Sequence, residues 1–199
     1  MLAGVDGAGK SSIGGLALRA VGTDWYNPDE IAQRLAHSNP EVSSQEIASR
    51  VWKEGRRRLI EAIAKRTHFA FETTLGGNSM THTLLDAIAA GVSVNVWYCG
   101  LESVELHIQR VAERVARGGH DIPEELIRRR YRSSMRNLCR LTPGLRQLAV
   151  FDNSRPLGSN GKPQLRRLIH IKEGDLLTIS NRMPDWARPV AAACLKRTS

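Results

Sequence analysis

The stretch Gly4-Val5-Asp6-Gly7-Ala8-Gly9-Lys10-Ser11 matches the pattern G-x-x-x-x-G-K-[ST] and decides the expected fold. Glycines at these positions let successive backbone N–H groups curl around phosphate oxygens without a clash of Cβ atoms. The lysine of the pattern places a positive charge on the outer phosphates, and the final hydroxyl is a ligand of Mg²⁺. A helix predicted over residues 11–19 directs its positive end at the bound anion. The stretch therefore predicts a site for a nucleoside triphosphate, and the alternative is a glycine-rich turn with a chance lysine.

The loop also specifies which residues we expect to bind this cofactor. Backbone N–H groups of the loop surround the phosphates, and the first helical residues follow directly. The predicted nucleotide-binding residues are Gly4, Asp6, Gly7, Ala8, Gly9, Lys10, Ser11 and Ser12, of which Ser11 also binds the metal.

The length and composition of the chain limit the classes of protein to which it can belong. A chain of 199 residues is long enough for one sizeable α/β domain and short for two. No apolar run approaches the roughly 20 residues of a membrane span. The phosphate loop occupies the amino terminus, where a signal peptide would otherwise stand, and Cys99, Cys139 and Cys194 form no C-x-x-C pair. We therefore expect reduced thiols in a cytoplasmic protein with no membrane contact.

Strand and helix patterns alternate along the chain. Strands are predicted near residues 1–3, 23–26, 69–74, 92–98 and 148–151, and helices near 27–36, 43–65, 80–90, 102–116 and 123–141. This order predicts an α/β fold, a parallel sheet with helices on both faces. Residues 1–154 form the expected core, with a lid at about 110–140. Residues 155–199 form an extension with a β-hairpin over 168–179, predicted to pack on the same domain.

Asp29 is the leading candidate for a catalytic base. In parallel sheets, ligands bind beyond the carboxyl ends of the strands, and Asp29 follows the second strand. A carboxylate there is placed to accept the proton of an acceptor hydroxyl. The alternative is a helix-start role, because Asn27-Pro28-Asp29-Glu30 is also a strong helix N-terminus.

Glu72, Thr73 and Thr74 form a second candidate cluster, at the end of an apolar strand. A glutamate directly after Phe69-Ala70-Phe71 is unfavourable unless it is paired or coordinating. We expect these three residues to face the acceptor substrate. The alternative is a strand end whose polar groups are satisfied by neighbouring backbone.

Nine arginines fall between Arg110 and Arg140. Arg110, Arg114 and Arg117 share one face of a predicted helix, and Gly118-Gly119 follows as a hinge. A two-helix flap lined by arginines predicts a closing lid that stabilises charge on the transferred phosphate. A solvated basic face is the alternative for several of the nine.

The net charge of +9 is typical of proteins that bind nucleic acid, which is therefore an alternative partner. The clustering of the arginines instead favours a role at one site of this protein. Two alternative functions therefore stand beside a kinase: a nucleic-acid kinase or binding protein, and a nucleotide-dependent ATPase without an acceptor. An ABC-type ATPase requires a Leu-Ser-Gly-Gly-Gln-like signature, which the sequence lacks. No histidine pair shows metal-ligand spacing, and His120 beside the glycine hinge is the one of interest.

Taken together, the elements resemble the zeta-toxin-like P-loop kinases. The resemblance covers residues 4–154 and is carried by the loop Gly4-Val5-Asp6-Gly7-Ala8-Gly9-Lys10-Ser11, Asn27-Pro28-Asp29-Glu30-Ile31-Ala32, Phe69-Ala70-Phe71-Glu72-Thr73-Thr74-Leu75, Arg114-Val115-Ala116-Arg117-Gly118-Gly119-His120-Asp121-Ile122-Pro123 and Asp152-Asn153-Ser154.

The resemblance implies an ATP-dependent kinase that uses Mg²⁺. In the best-understood members the acceptor is a hydroxyl of UDP-N-acetylglucosamine, and an antitoxin protein restrains the enzyme. Carried over by position, Lys10 and Ser11 serve ATP and Mg²⁺, Asp29 is the base, and Arg114 and Arg117 are lid arginines. The chain departs from the toxins at Leu75-Gly76-Gly77, where they place an arginine near the substrate. This departure points to a relative with a different small-molecule acceptor.

Overall fold

A computed structural model describes residues 1–10, 14 and 25–196. The helix predicted over residues 11–19, with Ser11 and Ser12, lies outside the described residues. Within them, the strands are β1 (Leu2–Ala3), β2 (Trp25–Tyr26), β3 (Ala70–Thr73), β4 (Asn95–Gly100), β5 (Gln147–Asp152), β6 (Arg166–Lys172) and β7 (Asp175–Ile179). The α-helices are α1 (Pro28–Ser38), α2 (Ser44–Lys65), α3 (Asn78–Ala89), α4 (Val104–Val115), α5 (Glu124–Leu141) and α6 (Arg188–Leu195).

The described strands form one seven-stranded sheet, in the order β2-β3-β1-β4-β5-β6-β7, flanked by helices. The first five strands of this order are parallel, as predicted. At one edge of the sheet, β6 pairs antiparallel with both β5 and β7. The predicted hairpin is present, and it adds to the edge of the main sheet beside β5.

The hairpin has a two-residue turn, Glu173-Gly174, with φ angles of 53° and 96°. Two consecutive residues with positive φ are typical of the type I′ turn, whose twist matches that of the adjoining strands. Turn chemistry therefore accounts for the hairpin that the sequence indicated.

Helix starts follow the capping residues in the sequence. The Asn27 side chain accepts hydrogen bonds from the backbone N–H groups of Asp29 and Glu30, and Ser43 accepts one from Glu46. Such caps satisfy backbone donors that have no partner within the helix. They explain why α1 and α2 begin where the sequence predicted.

The fourth strand begins three residues later than predicted, at Asn95 rather than Val92. The Val92 N–H donates to the carbonyl of Ala87, and Gly91 has a φ of +76°. This is the Schellman pattern that closes the end of a helix. Val92 therefore belongs to the end of α3, despite its high β-propensity.

Two groups of buried apolar side chains stabilise the fold. The larger lies between the sheet and its helices and includes Tyr98, Leu138, Val150 and Ile169. The smaller contains Val5, Val111 and Ile127, which join the phosphate loop to α4 and α5. The loop thus rests on the two arginine-bearing helices as well as on the sheet.

No helix among the described residues has the length and apolar character needed to span a membrane. The three cysteines are free, as expected.

Candidate active site

The phosphate loop follows β1 directly and has a backbone that only glycine adopts easily. Gly4, Gly7 and Gly9 have φ angles of 143°, 79° and 84°. A Cβ atom on Gly4 would lie 2.2 Å from the carbonyl oxygen of Cys99, and one on Gly7 would lie 2.7 Å from that of His107. The spacing of glycines in the sequence is therefore required both by the turn and by the close approach of neighbouring backbone.

Lys10 is buried at the end of this loop. Its Nζ atom lies 3.6 Å from Oε1 of Glu72 and donates a hydrogen bond to the carbonyl of Val5, at 3.3 Å. Glu72 lies on β3, in register with Leu2 of the neighbouring β1. Burial of a charged side chain is unfavourable unless the charge is paired, and the two residues supply that pairing for each other.

Asp6 is held from two sides. Its Oδ2 atom accepts a hydrogen bond of 2.8 Å from Nη1 of Arg130, on α5, and its carbonyl oxygen lies 2.7 Å from Nδ1 of His107, on α4. Burial raises the pKa of the Asp6 carboxyl, but the charges of Lys10 and Arg130 outweigh it, and the pKa lies below its usual value. Asp6 is therefore a buried carboxylate within the phosphate loop.

His107 is a structural neighbour of the loop. Because a carbonyl oxygen only accepts, Nδ1 of His107 carries the proton of its bond to Asp6. Burial lowers the pKa of His107 from 6.5 to about 4, so the ring is neutral at pH 7. The ring also makes an edge-on contact with Tyr131, with centroids 5.5 Å apart. His120, which the sequence singled out, is exposed and contributes its carbonyl oxygen to Arg114.

Asp29 and Arg114 come together from distant parts of the chain. Asp29 lies in the first turn of α1, with 55% of its side chain exposed, and its Oδ2 atom is 4.0 Å from Nη1 of Arg114. Arg114 also donates a hydrogen bond of 2.6 Å to the carbonyl of His120. The fold thus brings the candidate base next to one candidate lid arginine.

Arg117 lies elsewhere on the flap. Its side chain is 79% exposed, and its Nη2 atom lies 4.0 Å from Oε2 of Glu113 in the preceding helical turn. Gly118 has a φ of +83°, and Gly119 packs against the stem of Arg114, so the predicted hinge is a turn that the Arg114 side chain crosses.

The candidate substrate cluster is divided. Glu72 is buried beside Lys10, whereas Thr73 and Thr74 are half-buried. Oγ1 of Thr73 accepts from the Leu75 N–H, and Oγ1 of Thr74 accepts from the Gly76 N–H. The threonine hydroxyls thus shape the turn after β3, and each can still donate a hydrogen bond to a ligand.

Several residues that were not among the predicted site residues contact the phosphate loop or its neighbours. Nδ2 of Asn153 donates to the carbonyl of Ala8 at 3.0 Å, and Arg110 donates to the carbonyl of Asn153 at 2.7 Å. The sequence did carry a signal for Asn153, a polar residue directly after a strand. Arg130 was one of the nine arginines of the predicted lid but was not singled out, and His107 carried no signal because it lies within an amphipathic helix.

A divalent cation has few candidate ligands among the side chains described. No group of three or more histidine, cysteine, aspartate or glutamate side chains in that part of the chain is placed to hold a metal ion. The motif assigns the metal to the hydroxyl of Ser11, which is outside the described residues.

Comparison with solved structures identifies the same fold elsewhere. The complex AvrRxo1-ORF1:-ORF2 crystallised with ATP superposes with a TM-score of 0.65 at 15% identity, over 98% of this chain and 75% of that chain. The native AvrRxo1-ORF1:-ORF2 complex gives a TM-score of 0.65 at 16% identity, over 98% and 74%. This likeness confirms the predicted α/β fold, with a sheet flanked by helices.

Comparison with models of known protein families found no match. Among curated proteins, an uncharacterized protein of Haemophilus influenzae is 30% identical over 131 residues, which are 64% of this chain and 88% of that protein. This extent of identity shows common descent, and the chain belongs to the same family as the Haemophilus influenzae protein.

Proposed function

We propose that the chain is an ATP-dependent phosphotransferase that moves the γ-phosphate to a hydroxyl of a small acceptor. The proposal rests above all on the pairing of Asp29 with Arg114 at 4.0 Å, because it places a candidate base beside a candidate phosphate clamp. The AvrRxo1-ORF1:-ORF2 complex with ATP, which has the same fold, supports ATP as the nucleotide.

The residues present fit a bound triphosphate. Gly4, Gly7 and Gly9 hold the loop in a concave conformation, and Lys10 stands at its end. In this proposal ATP with Mg²⁺ supplies the phosphoryl group, and Ser11 holds the metal. Asn153 holds the loop from the side of β5 through the carbonyl of Ala8.

Each charged residue then has a defined task. Lys10 exchanges its contact with Glu72 for the outer phosphate oxygens. Asp29 accepts the proton of the attacking hydroxyl, which is feasible because more than half of its side chain is exposed. Arg114 and Arg117 neutralise charge as the flap approaches, and Glu72, Thr73 and Thr74 contact the acceptor.

For the acceptor, we propose a nucleotide sugar, of which UDP-N-acetylglucosamine is one candidate and, given the departure at Leu75-Gly76-Gly77, not the only one. This choice is supported by the resemblance to the zeta-toxin-like kinases. The test is incubation of the protein with γ-labelled ATP and a panel of nucleotide sugars, followed by mass analysis. We expect one product that gains a single phosphate group, absent with Lys10→Met. Transfer of label to none of the panel would overturn this choice of acceptor.

We further propose that a protein partner of the antitoxin type restrains the enzyme in the cytoplasm. Two structures with this fold are complexes of an ORF1 with an ORF2, which supports the proposal. Expression of the chain alone should arrest growth, and Lys10→Met should abolish the arrest. Normal growth with active protein would contradict a toxic role.

We also propose that residues 1–154 and the extension over 155–199 act as one domain. Arg166 of β6 contacts Oδ2 of Asp152 at 3.0 Å, directly before Asn153 of the site. The extension therefore supports the residue that holds the loop.

A further inference from the structure

Asp6 places a buried negative charge inside the loop that is proposed to bind a triphosphate. Its carboxylate is 7% exposed, and its backbone lies between Gly4 and Gly7 of the phosphate loop. An ionised carboxylate at this position repels a triphosphate unless another charge compensates it.

Arg130 supplies such a charge, from a different element of the fold. Its Nη1 atom lies 2.8 Å from Oδ2 of Asp6, a distance typical of a charge-assisted hydrogen bond. The two residues are 124 positions apart in the chain, so the contact is a product of tertiary structure. On the main-chain side, His107 holds the carbonyl of the same Asp6.

The path of Arg130 to the loop depends on Gly76. A Cβ atom on Gly76 would lie 2.8 Å from Cγ of Arg130 and 3.4 Å from its Cβ. The neighbouring Gly77 is different, because a Cβ atom there would meet nothing within 4 Å among the described residues. Neither glycine has a positive φ, so alanine is compatible with the backbone at both positions.

We propose that Arg130 is a positioning residue of the phosphate loop, which neutralises Asp6 and so makes the loop able to accept a triphosphate. Arg130 acts through Asp6 rather than on the nucleotide itself. Gly76 is present because the stem of Arg130 needs the space. The inference rests on the proposed function, since it takes the loop to bind ATP.

The decisive experiment is a double-mutant cycle on ATP affinity, measured by calorimetry with Mg²⁺. Arg130→Gln should weaken ATP binding by about 10- to 100-fold, the range for a hydrogen bond between charged groups. In an Asp6→Asn background the same substitution should have little effect, because no negative charge remains to be compensated. Arg130→Lys should recover most of the affinity, since it keeps the positive charge.

Two glycine variants form a matched pair that leaves the charges of Asp6 and Arg130 in place. Gly76→Ala should displace Arg130 and weaken ATP binding, whereas Gly77→Ala should bind ATP like the wild type. Circular dichroism confirms that each variant is folded at the temperature of the titration. A merely structural role of Arg130 would lower the melting temperature and leave the affinity of folded protein unchanged.

The results separate this inference from the proposed function. If the wild type binds no ATP, the proposed function fails. If the wild type binds ATP and Arg130→Gln binds it equally well, the role of Arg130 fails alone. An equal loss of affinity from Arg130→Gln in both backgrounds would show that Arg130 contacts the nucleotide directly, and would overturn its action through Asp6.

Discussion

The Nζ atom of Lys10 lies 3.6 Å from Oε1 of Glu72, and both side chains are buried. The pair joins the end of the phosphate loop to β3, the strand beside β1. Each buried charge is therefore satisfied without a ligand, and in the proposed function Lys10 exchanges this contact for phosphate oxygens.

Replacement of Lys10 should weaken nucleotide binding and abolish phosphate transfer. Lys10→Met keeps the length of the side chain and loses its charge, so we expect ATP affinity to fall by about 10- to 100-fold and transfer activity to disappear. Calorimetry and the labelled-ATP assay measure the two effects. Lys65→Met, at an exposed pair with Glu61, is the control and should change neither. Undiminished ATP binding by Lys10→Met would contradict a phosphate-binding loop.

Asp29→Asn should separate chemistry from binding. The amide cannot accept the proton, so kcat should fall by about 10²- to 10⁴-fold while the affinity for ATP stays within the experimental error. Asn27 caps α1 independently, so the helix should remain intact. Asp175→Asn, at an exposed site in the hairpin, provides the control. Retained turnover in Asp29→Asn would remove Asp29 from the role of base.

The two lid arginines can be tested side by side. Arg117→Ala and Arg114→Ala should each slow phosphate transfer, because each removes a positive charge from the flap. Arg117 is largely exposed, so its loss should change the free energy of unfolding by less than about 1 kcal/mol. Arg50→Ala breaks a comparable surface pair on α2 and should leave turnover unchanged. Loss of folding in Arg117→Ala would instead show a structural role.

Acid should destabilise the protein through His107. Its pKa is about 4 in the folded state, against 6.5 for the free side chain, so the unfolded chain binds more protons between these values. Stability is therefore fully present above pH 6.5 and falls as the pH decreases towards 4, by about 3 kcal/mol for this group. Urea unfolding across this range measures the slope. His107→Gln should flatten it and His82→Gln, at an exposed site, should not. An equal slope in His107→Gln would exclude this origin.

Trp186 should tie the carboxyl-terminal extension to the core. The ring lies 6.2 Å from that of Tyr98 between centroids, and it fills the space beside Gly100, where a Cβ atom would meet it at 2.4 Å. Trp186→Ala should lower the free energy of unfolding by about 3–5 kcal/mol. Trp52→Ala, on an exposed part of α2, is the matched control with little effect. A small effect of both would mean that the extension contributes little to stability.

Local signals in the sequence predicted most of the elements. These signals are the capping residues Asn27 and Ser43 and the Glu173-Gly174 turn. Each acts on neighbours within a few residues, so its effect on local structure can be predicted from the sequence alone. The start of β4 was less predictable. The positive φ of Gly91 lets the Val92 N–H donate to the carbonyl of Ala87, so Val92 belongs to the end of α3 and not to the strand. The hairpin was predicted but its pairing with β5 was not, since the place where a hairpin docks depends on tertiary packing rather than on its own residues.

The amino-acid sequence by itself determined the conformation of the phosphate loop, because glycine tolerates the positive φ angles found at Gly4, Gly7 and Gly9. The tertiary structure alone decided which charges surround that loop. Arg130 and Asp6 are 124 residues apart and meet because α5 packs beside the loop, and Asp29 meets Arg114 for a similar reason. Local propensity acts between near neighbours in the chain, whereas such charge pairs depend on how helices pack on the sheet.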